Sequence, residues 1–393
     1  MTKQEIIDAA FKVWGRDFYQ STSLAKLART LGVSKPALYR HFKNKQSLLE
    51  AMYDHFFNEY ADFIKPQYDQ AILTQDTRES FLIMIRIISE YYLRHRDAFI
   101  FSLVKFYGPL PLSVQKNITH QFLVRGIDLR RFSQFEQEPS GYPSLIQLIF
   151  ATLAFMAEYF YKSLEAAPSV EALLGWTQES MFWGLGLDER VLDALDYEKL
   201  EALIIPREYE AVEDEALLKA VAGAVAEAGP WKASIDMIAR RSGLSKSSLY
   251  SHFKNKEDML NRLLITELDR MMGYVEESIL RSEVSEERLY LAVFSAADYL
   301  RSRLEILLAA NWIRYRRQNL HTEIPPRLWQ VFSDLGLNLS SPEGAERLGL
   351  GIFFLIVHTL MRRPEGLSCS EMPKTAIRRL FRFIALGLEG FSR

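Results

Sequence analysis

Apolar residues recur along this chain at intervals of three and four, the spacing that lines one face of an α-helix. Alternating runs of period two bounded by turn residues are missing, so the pattern predicts an all-α fold. The first predicted helix covers roughly Gln4 to Trp14, with Ile6, Ile7, Ala10, Phe11 and Trp14 on one face and Gly15 as its C-terminal breaker. Ser23 is placed to cap a second helix, Leu24 to Leu31, which stops at Gly32. Ser34 stands at the next N-cap. Pro36 fits the first turn of a third, very short helix, Lys35 to His41, because the N–H it lacks would have no helical partner there. The most lipid-like run, Leu348 to Met361, holds about a dozen apolar residues and includes His358. That is short of the roughly 20 needed to cross a bilayer, and it reads as a buried helix.

The pattern occurs twice. Residues 31–45 read LGVSKPALYRHFKNK and residues 242–256 read SGLSKSSLYSHFKNK, ten of fifteen positions identical at an offset of 211. The same offset aligns Ile6-Ile7 with Leu217-Leu218, Ala9 with Ala220, Leu27-Ala28 with Ile238-Ala239, and Leu49 with Leu260. Downstream, Tyr92-Leu93-Arg94-His95-Arg96 recurs as Tyr299-Leu300-Arg301-Ser302-Arg303 at an offset of 207, so the second copy is about four residues shorter. Solenoid repeats are shorter and need three or more copies, so two long copies mean a duplicated domain. In the second copy the first helix is predicted over about Glu213 to Ala226. Ser234 caps the next helix, which ends at Gly243, and Lys246 to His252 form the third. The boundary lies near Ile205 to Glu215, where Pro206 stops the helical pattern and Glu208, Glu210, Glu213, Asp214 and Glu215 read as a solvated connector or a helix start. The predicted division is a head over 1–56, a helical body over 57–205, a linker over 206–212, a second head over 213–268 and a second body over 269–393.

Composition adds exclusions. With 393 residues, 48% of them apolar and 25% charged, the chain has the makeup of globular protein and exceeds what one core usually supports. The net charge of -2 advertises no overall field for nucleic acid, so a DNA-binding surface has to be local. The lone cysteine, Cys369, has no internal disulfide partner, and Cys/His pairs at ligand spacing are lacking, which argues against structural zinc. Met1 to Ala10 does not read as a signal peptide. The expectation is a cytoplasmic, nucleoid-associated protein with no membrane partner and no cofactor. No metal-binding His-Glu motif, nucleophile elbow, phosphate-cradling glycine loop or dinucleotide fingerprint is found, so an enzyme is not expected.

Two short helices joined by a Gly-containing turn make a helix-turn-helix, whose second helix enters the major groove. Local charge agrees with that. Residues 21–50 carry Lys26, Arg29, Lys35, Arg40, Lys43 and Lys45 against Glu50, an excess of five. Residues 232–262 carry Lys232, Arg240, Arg241, Lys246, Lys254, Lys256 and Arg262 against Asp236, Glu257 and Asp258, an excess of four. The Ile/Leu-Ala pair, the Gly-Val/Leu-Ser turn, Leu-Tyr and His-Phe-x-x-Lys resemble the DNA-binding head of the TetR (tetracycline-repressor-like) family, twice over. The resemblance implies phosphate contacts from Tyr39, His41 and Lys45 and from Tyr250, His252 and Lys256. The predicted DNA-facing set is completed by Ser23, Ser34, Lys35, Pro36, Ala37 and Arg40 in one head and by Ser234, Ser245, Lys246, Ser247, Ser248 and Ser251 in the other. Where the family commonly has Gly two residues after the turn Ser, this chain has Pro36 and Ser247. His41 and His252 also admit a reading as core or capping residues, and the lysines one as a solvated face.

Members of that family ordinarily act as homodimers, placing two reading helices about one DNA turn apart. Two tandem modules therefore suggest a single-chain pseudo-dimer on a double-stranded operator, its halves paired internally, with further dimerisation to four heads left open. The resemblance implies a four-helix bundle from the last two helices of each body, here Ser144 to Leu164 with Val170 to Leu187, and Glu343 to Met361 with Lys374 to Leu388. The endings Trp183-Gly184-Leu185-Gly186-Leu187 and Ala385-Leu386-Gly387-Leu388 look like matched close-packing surfaces, or ordinary core. The expected function is a repressor released by a small-molecule effector. The alternative is a protein-interaction adaptor that keeps the helix-turn-helix as scaffold. Aromatics of the first body (Tyr91, Tyr92, Phe99, Phe101, Phe106, Tyr107, Phe155, Tyr159, Phe160, Tyr161) and of the second (Tyr299, Trp312, Tyr315, Phe353, Phe354) suit an apolar or aromatic effector. Core packing explains the same residues.

Overall fold

Every regular element in the computed structural model is a helix, among described residues that comprise 2–16, 23–73, 77–95, 97, 120–128, 143, 145–162, 170–182, 184–205, 215–303, 305–309, 327–333, 335, 342–361, 367–368 and 370–388. The expected linker, Trp183, Cys369, Phe99, Phe101, Phe106, Tyr107, Trp312 and Tyr315 fall outside them, as do the side chains of Trp14, Tyr159, Phe160 and Tyr161. By packing, the chain divides into one unit of residues 1–135 and 160–178 and another of residues 136–159 and 179–393.

In the first unit, helices α1 (Lys3–Arg16), α2 (Leu24–Thr30) and α3 (Lys35–Tyr39) close over the start of the long α4 (Lys45–Ala71). Helix α1 runs through Gly15 to Arg16 instead of stopping there. A helical glycine costs only about 1 kcal/mol relative to alanine, which burial of Ile6, Ile7, Ala10, Phe11 and Val13 outweighs. Helix α4 buries Leu48, Leu49, Met52, Phe56, Phe57, Tyr60 and Ile64, its i, i+3, i+4 face, and packs on α5 (Thr77–Arg94). Tyr60 and Tyr91 meet with ring centroids 4.5 Å apart, and Tyr92 and Phe122 close on Tyr60 at 5.7 and 5.2 Å. Tyr91 and Tyr92 are core residues.

The second unit holds part of α6 (Leu145–Lys162) and of α7 (Val170–Phe182), followed by two short helices, α8 (Glu189–Asp193) and α9 (Tyr197–Ala202). Asp188 and Asp196 cap these with side-chain oxygens that accept backbone N–H groups of Arg190 and Lys199 at 2.9 and 3.0 Å. Next come α10 (Glu215–Lys232), α11 (Ile235–Ser242), α12 (Lys246–His252), α13 (Lys256–Ile279), α14 (Ser285–Arg301), α15 (Arg327–Ser333), α16 (Pro342–Met361) and α17 (Lys374–Leu386). Helix α10 continues past Ala226 and breaks at Gly229, whose φ of 72° and ψ of 159° only glycine adopts readily. The predicted buried helix at Leu348 to Met361 is the end of α16, with His358 only 6% exposed. Among the described residues no helix is long and apolar enough to cross a membrane.

Two features tie the second unit together. Helix α9 lies on α14 and projects Glu201 into a polar nest: its carboxylate accepts from Tyr290 Oη at 2.6 Å, Arg378 Nε at 2.7 Å and Lys374 Nζ at 3.0 Å, with the side chain 1% exposed. Burial alone would raise its pKa, but hydrogen bonds from Arg378, Tyr290 and Lys374 hold it below the ordinary carboxylate range. The second feature joins the glycine-bearing endings. Leu185 N–H donates to Ile384 O at 3.0 Å, Leu187 N–H to Ala385 O at 3.2 Å, and Leu388 N–H returns to Met181 O at 2.7 Å. A Cβ on Gly184 would stand 2.5 Å from Gly387 N, so the two backbones touch where side chains would keep them apart. Nearby Phe155 packs on Phe354 at 5.5 Å. The endings are a close backbone approach, which ordinary side-chain core does not describe.

Candidate nucleic-acid interface

Each head is assembled by the same local chemistry. Ser23 Oγ accepts Lys26 N–H at 3.1 Å to start α2, and Ser234 Oγ accepts Met237 N–H at 3.2 Å to start α11. The turns need a left-handed residue and have one, Gly32 at φ 65° and Gly243 at φ 71°. Ser34 Oγ and Ser245 Oγ then cap α3 and α12 by accepting N–H groups of Ala37 and Ser248 at 3.3 and 3.1 Å. One leucine pins each short helix, Leu38 and Leu249, both 0% exposed, followed by Phe42 and Phe253 at 2% and 1%.

With one face pinned, the rest of each short helix is outward. Lys35, Pro36, Tyr39, Arg40 and His41 are exposed in the first head, and Lys246, Ser247, Tyr250, Ser251 and His252 in the second, with Ala37 and Ser248 half-buried. Tyr39 is 44% and Tyr250 52% exposed, so both equivalent positions present a large aromatic to solvent. Both histidines are outward, which excludes the core reading. Helix α3 is shorter than predicted: it ends at Tyr39 with Arg40 as C-cap, so His41 follows the helix, whereas α12 does reach His252.

Sequence reasoning passed over Asn44 and Asn255. Asn44 Oδ1 accepts Ser47 N–H at 2.8 Å while Ser47 Oγ accepts Asn44 N–H at 3.2 Å, a reciprocal capping box; Asn255 Oδ1 accepts Asp258 N–H at 2.9 Å. They orient the starts of α4 and α13 and so place Lys45 and Lys256, each half-buried on the first turn. Burial lowers the Lys45 pKa. The Asn before an apolar periodic run was a readable signal.

The heads differ in charge and in outward chemistry. Lys246 Nζ is 2.6 Å from Asp236 Oδ1, and Arg241 pairs with Glu227. In the first head the position of Asp236 is Ala25, and Lys35 instead lies over the Tyr39 ring, 5.9 Å from its centroid. Ser251 Oγ donates to Ser248 O at 2.6 Å, so its proton is spent on its own helix. Arg40 makes no ion pair among the described residues. Among them, too, no group of three His, Cys, Asp or Glu side chains is placed to hold a metal ion.

Comparison with known proteins matches the same segments. The family described as "Bacterial regulatory proteins, tetR family" matches residues 6–52 and again residues 217–263, two matches at the repeat's own offset of 211. The chain is similar to the biofilm operon icaADBC HTH-type negative transcriptional regulator IcaR of Staphylococcus epidermidis, 24% identical over 92 residues, 23% of this chain and 50% of the relative. It is also similar to the tetracycline repressor protein class D of Escherichia coli, 32% identical over 66 residues, 17% and 30% of the two chains. The HTH-type transcriptional regulator AcrR of Shigella flexneri is 36% identical over 53 residues, 14% and 25%. These matches span half of the relatives' length or less.

Proposed function

This chain is a tandem duplication within the tetR family of bacterial regulators, and we propose that both of its heads read a single DNA operator whose two half-sites differ in sequence. The observation that carries this is the pair of capped short helices with unlike outward faces: Pro36, Ala37 and Arg40 in one, Ser247, Ser248 and Ser251 in the other. Arg40, exposed and without an ion pair among the described residues, can pair bidentately with guanine, a contact worth about 1–3 kcal/mol of discrimination. Serine is tolerant, and Ser251 already donates within its helix. The first head is therefore the stricter reader. Tyr39, His41 and Lys45, with Tyr250, His252 and Lys256, hold phosphates and set the register. The Gly184–Gly387 approach supports pairing of the two copies within one chain. The chain represses, and a small molecule releases it by binding the DNA-free state better.

Selection from a randomised duplex pool, with the mass of the complex measured alongside, tests this. One chain on an asymmetric two-half-site operator is the expected result, and Arg40→Ala relaxes one half-site only. A long palindrome bound by two chains refutes the single-chain reading. No enriched sequence refutes DNA reading altogether and leaves the adaptor.

A further inference from the structure

The duplication supplies an internal comparison. In the second unit a cleft of about 580 Å³ opens between α10, α13 and the segment at residues 303–305, with Leu218, Ala222 and Leu263 on its apolar side. At the offset of 211, Ala222 corresponds to Phe11 and Glu267 to Phe56, both buried. At these equivalent positions the first copy carries two buried phenyl rings and the second a methyl group and a carboxylate.

The charges lining the cleft are nearly all engaged. Glu267 accepts from Tyr299 Oη at 2.6 Å and Arg270 Nη1 at 2.9 Å, with Arg303 Nη1 at 3.3 Å; the other arm of Arg270 reaches Glu215 Oε2 at 2.5 Å. Lys219 is at the rim, 75% exposed and 3.6 Å from Glu215. Glu305 lines the same cleft, is half-buried, and has no ion pair among the described residues. Burial pushes its carboxyl pKa up. Arg270, Arg303 and Lys219 are spent on Glu215 and Glu267, so among the described residues Glu305 is the carboxylate left with only the more distant charge of Arg303, and a cation entering here would pair with it.

We propose that this cleft is an effector site for a small organic cation, an ammonium whose charge sits against Glu305 and whose short apolar part lies on Leu218, Ala222 and Leu263. The inference rests on the regulatory reading above and deepens it. Helix α10 is the first helix of the second head and α13 the one leading from that head into its body, so a guest between them favours the head position that leaves the cleft open. Sensing is then confined to the second copy, because Phe11 and Phe56 occupy the equivalent place in the first.

Titration calorimetry of the full chain with n-butylammonium chloride, and with sodium butyrate as the anion control, is the test. The expected result is saturable binding of the amine alone. Glu305→Gln should weaken it about ten-fold or more, the size of a lost charge-assisted contact, and Ala222→Phe should abolish it. No heat from the amine, equal binding of butyrate, or affinity unchanged in both variants overturns the proposal; the near-isosteric Glu305→Gln keeps the test valid if Ala222→Phe misfolds. Operator binding followed by fluorescence anisotropy separates the two readings. Saturating amine should change operator affinity about five-fold or more, a common size for coupling between sites. DNA binding indifferent to bound amine overturns the effector role alone, while Glu305-dependent amine binding by a chain that ignores DNA supports the site and refutes the DNA reading.

Discussion

Replacing Glu201 should reveal how the end of the first copy is held. Glu201→Ala strands the Tyr290 hydroxyl on a residue that is 0% exposed, together with Arg378, 27% exposed, and Lys374, 51% exposed. Removing one member of a buried ion pair costs about 3–5 kcal/mol. Both cations regain water here, so the lower end, about 3 kcal/mol, is expected. Glu201→Gln keeps an acceptor for Tyr290 and loses only the charge, for about 1.5–3 kcal/mol. Urea unfolding followed by far-UV circular dichroism measures both, compared through midpoints at constant slope. The pH dependence supplies a sign. Because the folded-state pKa of Glu201 is depressed, its stabilisation is fully present above the unfolded value of about 4.3 and is lost as pH falls through the folded value. The gap between wild type and Glu201→Ala should therefore be full at neutral pH and narrow below about pH 4. A cost under about 1 kcal/mol at neutral pH, or one that does not change in acid, would refute the buried-anchor reasoning. Glu201→Leu with Arg378→Leu should recover much of the loss, since an apolar pair of similar volume often replaces a buried ion pair at little cost.

Three further outcomes follow from the geometry. Gly184→Ala, at φ 53° and with its new Cβ against Gly387 N, should cost about 2–4 kcal/mol from overpacking and left-handed strain, whereas Gly186→Ala, at φ 65° with nothing within 4 Å, should cost only about 1 kcal/mol; thermal melts of the pair separate contact from strain. Asn44→Ala should lower stability by about 1–2 kcal/mol through loss of the reciprocal cap, and limited proteolysis should show an earlier opening of the first head than of the second. Asp236→Asn frees Lys246 from its exposed ion pair, so stability should stay within about 0.5 kcal/mol while the logarithmic salt slope of DNA binding steepens by about one; an unchanged slope means that Lys246 makes no phosphate contact.

Much of the head was legible because its determinants are local. Ser23, Ser34, Ser234 and Ser245 cap helices whose first N–H groups lie only three residues after them in sequence, and Gly32 and Gly243 provide turns that other residues adopt only with strain. The periodic burial of Ile6, Ala10, Leu27, Leu38 and Leu48 needs no knowledge of the partner surface. Errors came where local preference was weak: Gly15 does not end α1, because packing outweighs a small propensity cost, and α3 stops at Tyr39 rather than His41.

The amino-acid sequence by itself determined the all-helical character, the duplication at an offset of 211 and the capped short helices of each head, since periodicity, caps and repeated motifs act over a few residues. Only the tertiary structure decided that Glu201 is buried among Tyr290, Lys374 and Arg378, that Gly184 meets Gly387, that Lys246 is tied to Asp236, and that a cleft opens where Phe11 and Phe56 have lost their counterparts. Each of these depends on which residues of different helices and helix ends the fold brings together. Burial strengthens or penalises a charge by an amount that no local pattern encodes.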